Sequence, residues 1–158
     1  MINLDASFLA TNRQGGWGCI AQDMLGDVLF AAAGPLANLS TATHAEALAL
    51  MKAINLVESF GMGRVMFMMD CLPLKQAMEA NLSDRSQLGC LFRESKYLLQ
   101  MGFIEYKILF ECCSCNKPAH LLAGRGVRMG IGSDHVWLTS LPLDVMGAMA
   151  NDLVEPTS

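Results

Sequence analysis

Residues 2–8 alternate between Ile2, Leu4, Ala6 and Phe8 on one side and Asn3, Asp5 and Ser7 on the other. That period of two is a strand's, and the pattern that follows it restricts how the chain can be assembled. Short apolar stretches at 17–22 and 28–33 flank a polar turn from Asp23 to Asp27 that contains Gly26, which reads as a hairpin. After Pro35 the period changes. Ser40, Thr41 and Thr43 offer helix N-caps; Ala45, Leu48, Ala49, Ala53, Leu56, Val57 and Phe60 recur at helical spacing; Gly61 and Gly63 stop the helix. Val65 to Met69 is then apolar without interruption and ends at Asp70, as in a parallel strand covered on both faces.

Pro73 opens a short helix, Leu88 to Leu99 forms an amphipathic one, Phe103 to Phe110 is a fifth strand, and Ser114 caps a last helix through about Ala123. The order β-β-β-α-β-α-α-β-α places the chain in the α/β class. The simplest assembly is a five-stranded mixed sheet, three antiparallel strands then two parallel, covered by helices. Its crossovers are right-handed, and the first strand is central beside the fourth. Gly124, Gly126, Gly130 and Gly132 mark a loose connection, so residues 1–126 are expected to form the domain. Residues 127–158 are expected to form a C-terminal extension packing on it or trailing from it.

The 158 residues are enough for one domain, and 53% hydrophobic against 16% charged residues exclude an intrinsically disordered chain. The net charge of −4 counts against a strong nonspecific nucleic-acid binder. The excess acid lies in the extension. Beyond Arg128 there is no Lys or Arg, while Asp134, Asp144, Asp152 and Glu155 leave the preceding residues balanced. Asp5 interrupts the first apolar stretch, the N-terminus has no basic region, and no apolar run reaches the ~18 residues of a membrane span. The six cysteines therefore read as reduced thiols in an intracellular compartment, nucleus or cytosol, with no membrane partner.

Three acids occupy suggestive places: Asp5 in mid-strand, Glu46 in the first turn of the first helix, and Asp70 at the end of the fourth strand. If the first and fourth strands are neighbours, Asp5 and Asp70 meet where strand order switches, the usual binding crevice of such sheets. Three carboxylates repel one another unless cations intervene, and hard oxygen ligands suit Mg²⁺ or Mn²⁺. Spacing alone also leaves open that Glu46 complements its helix N-terminus, Asp70 caps the next helix, and Asp5 is a satisfied strand polar group.

Cys112-x-x-Cys115, followed by His120, has the spacing of three zinc-knuckle ligands, but the fourth would be Arg125, which cannot bind zinc. The same two cysteines form a candidate redox pair. His44 is placed either to touch a ribose or phosphate or to close its helix end. Gly15 and Gly16 read as a turn before the second strand, and Trp17 and Trp137 as packing anchors.

Asp5-Ala6-Ser7-Phe8, Gly15-Gly16-Trp17-Gly18, His44-Ala45-Glu46-Ala47-Leu48-Ala49, Asp70-Cys71-Leu72 and Asn116-Lys117-Pro118-Ala119-His120-Leu121-Leu122-Ala123 follow in that order. Together they resemble the ribonuclease H-like domain of plant retroelement-derived, reverse-transcriptase-like proteins, and the stretch through Trp137, Leu138, Pro142, Asp152 and Pro156 is similar to that branch's tail. The resemblance implies the five-stranded mixed sheet. It implies cleavage of the RNA strand of RNA–DNA hybrids with two divalent ions, Mg²⁺ or Mn²⁺, ~3.5–4 Å apart. It carries the catalytic, metal-holding acids onto Asp5, Glu46 and Asp70, and the fourth acid onto His120. Asn116 is kept as a substrate contact, and Cys113 stands where an Arg is frequent. Arg85, Arg93 and Lys96 fall where the family grips its hybrid. The implied partner is an RNA–DNA hybrid or structured RNA, bound by a monomer, alone or within a longer retroelement polyprotein. The alternative is a catalytically weak or inactive nucleic-acid-binding or interaction module on the same fold.

Overall fold

A computed structural model describes residues 1–80 and 86–152. The strands are β1 (Ile2–Leu9), β2 (Gln14–Gln22), β3 (Val28–Leu36), β4 (Arg64–Met69), β5 (Glu105–Phe110) and β6 (His135–Trp137). The helices are α1 (Ala42–Ser59), α2 (Leu72–Glu79), α3 (Gly89–Gly102), α4 (Lys117–Val127) and α5 (Leu143–Asp152). The sheet runs β5-β4-β1-β2-β3-β6. As the sequence implies, β1 to β3 pair antiparallel, β4 and β5 pair parallel, and β1 lies beside β4.

The sheet has six strands rather than the expected five. The additional strand comes from the extension, where β6 pairs antiparallel with β3 through Ala31–Trp137 and Ala33–His135. An outer β3 would present unpaired N–H and C=O groups, and β6 satisfies part of that edge. Three residues are too few to show a period of two, so the sequence pattern misses them. Among the described residues, no helix is long and apolar enough to cross a membrane.

Helices cover both faces. On one side, Leu50, Ala53, Ile54 and Val57 of α1 pack with Ile2, Leu4, Cys19, Phe30 and Phe67 of the sheet. On the other, Leu122 of α4 and Val145 of α5 pack with Ile20, Ala31 and Ala33. This double cover changes the meaning of β1's polar side. Asn3 and Asp5 are buried, at 6% and 3% exposure, so they need protein partners instead of water.

Gly16 and Gly18 lie inside β2 and form a floor for α4; the turn expected at Gly15 and Gly16 is part of the strand. A Cβ on Gly18 would stand 2.4 Å from Leu122 Cβ, and one on Gly16 2.2 Å from the Ala123 carbonyl oxygen. In return, a Cβ on Gly126 would meet the Gly34 carbonyl oxygen at 2.2 Å. Helix α4 accordingly continues past Ala123 to Val127, with Gly126 at a point of close approach instead of in a loose connection.

The extension is also fastened by Asp134. Its carboxylate accepts from the Trp17 indole N–H at 3.1 Å and from Lys52 Nζ at 2.8 Å. Asp144 similarly accepts from Arg125 at 3.1 Å. Two of the acids concentrated in the extension are therefore paired with basic residues of the main body. Trp17 is only 2% exposed, so its N–H depends on Asp134. Asp134→Ala is expected to cost ~1–3 kcal/mol in urea unfolding. Asp134→Asn keeps an acceptor, loses mainly a half-exposed ion pair, and should cost ~1 kcal/mol or less. Equal losses in the two variants would show that the indole bond contributes nothing.

Candidate active site

The register of β1 against β4 pairs Ile2 with Phe67 and Asn3 with Met68. Two residues further on, Asp5 and Asp70 reach the same level, at the crevice where neighbouring strands lead to different sides of the sheet. Helix α1 supplies the third carboxylate. Thr41 is its N-cap, with Oγ1 accepting from His44 N–H at 3.0 Å. That start at Ala42 puts Glu46 in the second turn, not the first, too far along to serve as a complement to the helix end. Glu46 instead faces β1, and Ala6 N–H donates to its Oε1 at 3.3 Å. Asp70 does not cap α2; the cap is Cys71, which makes no side-chain capping bond.

Oxygens of Asp5, Glu46 and Asp70 lie within 4.8 Å of one another. Burial, followed by the charge of Asp5, pushes the Glu46 carboxyl up to about 9, and burial and Asp5 likewise raise Asp70. Glu46 Oε2 is buried with no hydrogen-bond partner. An all-oxygen donor set with mutual repulsion and an unpartnered inward oxygen fits a hard divalent cation. The acids line an open cleft of about 550 Å³ with Thr43, Leu72, Phe110, Cys113 and His120.

His120 joins the acids from α4. Its Nδ1 lies 2.8 Å from Asp5 Oδ2, while the imidazole is 72% exposed. It is held in place by the turn before α4. Asn116 donates from Nδ2 to the Leu4 carbonyl at 2.9 Å, and Asn3 donates to Glu111 at 2.7 Å and to Asn116 Oδ1 at 3.3 Å. These bonds tie the end of β5 and the start of α4 to β1, immediately before Asp5.

The match to the reverse transcriptase-like family model extends over residues 3–126. The chain belongs to that family. No curated protein sequence matches it. Among solved structures, RNase H1 from Halobacterium salinarum superposes with a TM-score of 0.74 at 17% identity, over 80% of this chain and 96% of that one. The N-terminal RNase H domain of a Mycobacterium tuberculosis protein gives 0.70 at 18%, over 80% and 91%. LC11-RNase H1, solved in complex with an RNA/DNA hybrid, gives 0.72 at 17%, over 80% and 95%. At these identities the likeness establishes the fold, which is that of ribonuclease H.

Within this family member, the other residues singled out from the sequence are dispersed. Asn116 is fully buried, its amide engaged by β1, so it is a clasp instead of a group open to a substrate. His44 lies outside the cleft, and its Nδ1 accepts from Ser40 N–H at 3.1 Å, closing the helix end. Lys96 donates to the Ala80 carbonyl at 2.6 Å and joins α3 to α2. Arg93 is exposed on α3, with an Nη 3.2 Å from Cys90 Sγ. Arg85 lies outside the described residues. Lys52, Lys75 and Arg125 are paired with Asp134, Glu79 and Asp144. The zinc spacing does not assemble a site: His120 is bonded to Asp5, and the carboxylate trio is the sole three-donor group among the described residues. Sequence reasoning missed Asn3 and Glu111; Asn3's place on the same side of β1 as Asp5 was the available signal.

The raised Glu46 carboxyl has a consequence for stability. It holds its proton more tightly folded than unfolded, so its contribution is lost as pH rises from about 4.5 toward 9. Without divalent ions, Glu46→Gln should therefore melt above the parent at pH 8, by about 2–4 °C for each ~1 kcal/mol relieved. The gap should close at pH 4 and narrow when Mg²⁺ or Mn²⁺ is added. Melting curves in chelator across that range check this, and a variant that melts lower at pH 8 would refute it.

Proposed function

We propose that this chain is a divalent-metal-dependent ribonuclease of the ribonuclease H type, cleaving the RNA strand of an RNA–DNA hybrid. The observation that carries this reading is the convergence of Asp5, Glu46 and Asp70, with oxygens within 4.8 Å, at the mouth of an open cleft. It is supported by membership of the reverse transcriptase-like family and by a fold shared with an RNase H1 solved on an RNA/DNA hybrid.

Asp5, Glu46 and Asp70 would hold Mg²⁺ or Mn²⁺, two ions in the proposed arrangement. Bound there, such ions supply activation of water and stabilisation of a leaving oxygen. The protein's own part is positioning. The β1–β4 register sets the level of Asp5 and Asp70, Ala6 N–H holds one Glu46 oxygen, and the Asn3–Glu111–Asn116 clasp fixes β1 from below. With Nδ1 2.8 Å from Asp5 Oδ2, His120 orients that carboxylate. Few cations surround the cleft. Lys117 opens α4, Arg93 lies on α3, and the proposed hybrid contact falls to them and to Arg85, so affinity should be salt-dependent.

One observation favours the second reading, a binding module that has lost activity: His120 brings a nitrogen to Asp5 where a fourth carboxylate would bring oxygen. Both readings are separated by incubating the protein with labelled hybrid in Mg²⁺, in Mn²⁺ and in chelator. Cleavage should require a divalent ion, and Asp70→Asn should reduce it at least about a hundredfold, ~3 kcal/mol of barrier. Hybrid bound but uncut under all three conditions would establish the module reading.

His120→Asp tests the fourth position itself. Imidazole suits Mn²⁺ better than Mg²⁺. Parent activity should therefore be higher in Mn²⁺, and the aspartate variant should gain Mg²⁺-dependent cleavage. A variant with an unchanged metal preference would leave His120 only its bond to Asp5.

A further inference from the structure

Between β5 and α4 the chain makes one 3₁₀ turn, Cys113–Cys115. It is closed by Cys115 N–H donating to the Cys112 carbonyl at 3.0 Å. The turn brings the sulfurs of Cys112 and Cys115 to 3.3 Å, with Ser114 Oγ 3.0 Å from Cys112 Sγ. Both thiols are exposed. Of the other four cysteines, Cys19 is fully buried, with its thiol pushed up to about 12 by that burial, Cys71 is half-buried, Cys90 is exposed on α3 beside Arg93, and Cys113 is exposed within the turn itself.

We propose that Cys112 and Cys115 are a redox-active dithiol that a small-molecule disulfide of the glutathione class converts to an intramolecular disulfide, and that closing this ring is felt at Asn116 and His120. In the first step the Cys112 thiolate attacks one sulfur of the oxidant and releases one thiolate of the small molecule. In the second, Cys115 gives its proton to water and attacks Cys112 Sγ, expelling the other. Two protein thiols are oxidised, one small disulfide is reduced to two thiols, and two electrons pass between them. The roles are unequal for a physical reason. Hydrogen bonding with Ser114 and Cys115 holds the Cys112 thiol below the ordinary cysteine value, whereas the contact with Cys112 raises Cys115.

The ring is coupled to the cleft by its flanks. Glu111 and Asn116, on either side of the turn, are both bonded to Asn3 of β1, and Asn116 also to the Leu4 carbonyl. The carbonyl of Asn116 accepts the first helical bond of α4, from His120 N–H at 3.1 Å. A disulfide needs its sulfurs about 2.0 Å apart, so closure from 3.3 Å tightens the segment between those anchors. The coupling does not depend on hybrid cleavage.

The test equilibrates the full chain in reduced and oxidised glutathione, quenches by alkylation and maps peptides by mass. The expected product is a Cys112–Cys115 ring, read as loss of two hydrogens, reversed by reduced glutathione and retained in Cys113→Ser. Cys115→Ser should instead trap a glutathione adduct on Cys112, formed several-fold faster than on Cys90. Stable adducts on Cys112 or Cys113 in the parent, without a ring, would overturn the dithiol. Amide resonances of Asn3, Asn116 and His120 should shift on oxidation, while those of the Asp23–Asp27 turn stay in place. A ring without those shifts would overturn the coupling.

Discussion

Helix α4 rests on bare backbone, and the arrangement of the cleft depends on that contact. Gly16 and Gly18 leave room for Leu122 and Ala123, and Gly126 leaves room for the Gly34 carbonyl. A side chain at any of these points would lift the helix. The same helix carries His120 at one end of its contact and is joined at its start to Asn116. A displacement over β2 would therefore move the imidazole from Asp5 and strain the bond from Asn116 to Leu4. Close packing of this kind has little give, because protein interiors are packed as densely as organic crystals.

The second constraint is electrostatic. Asp5 is buried in mid-strand and Glu46 nearly so, and burial together with the charge of Asp5 makes Glu46 harder to ionise. In a chain with only 16% charged residues, such a cluster does not serve solubility. His120 and the Ala6 amide offset part of the repulsion, and one Glu46 oxygen is left over. The fold tolerates this arrangement because β1 is flanked on both sides by other strands and covered by helices. Its geometry is held by backbone pairing and apolar burial, leaving the carboxylates where the crevice puts them.

The extension contributes to the fold beyond its sequence signal. It pairs with the sheet edge at β3, covers Ile20 and Ala31 with Val145, and supplies an acceptor for the buried Trp17 indole. Its acids also take up Lys52 and Arg125, which further thins the basic surface of a chain whose main body is already neutral. Any nucleic acid would meet a weakly charged face, and recognition would rest on the cleft more than on long-range attraction.

Much of this was legible in the order of the residues. Alternation in β1, the apolar run of β4 and the helical spacing of α1 are local signals, since each element must bury its own apolar side, and they determine the element order from β1 to α4. The acids Asp5, Glu46 and Asp70 could be paired from that order because strand adjacency follows from the crossovers. Other features were decided only in three dimensions. Asn116 became a buried clasp, Lys96 a bridge between α2 and α3, and His44 a helix-end ligand, because packing placed them against acceptors and donors distant in sequence or across a helix turn. Gly18, Gly34 and Gly126 took their meaning from atoms of other elements approaching within a Cβ radius. By itself the sequence determines the longer strands and helices of residues 1–126 and which side of each is apolar, because those depend on neighbours along the chain; the three residues of β6 are too few to carry such a signal. The tertiary structure alone decides the hydrogen-bond partners of Asn3, His44, Lys96 and Asn116, because a hydrogen bond or a close backbone contact depends on distances of a few ångströms that no spacing along the chain encodes.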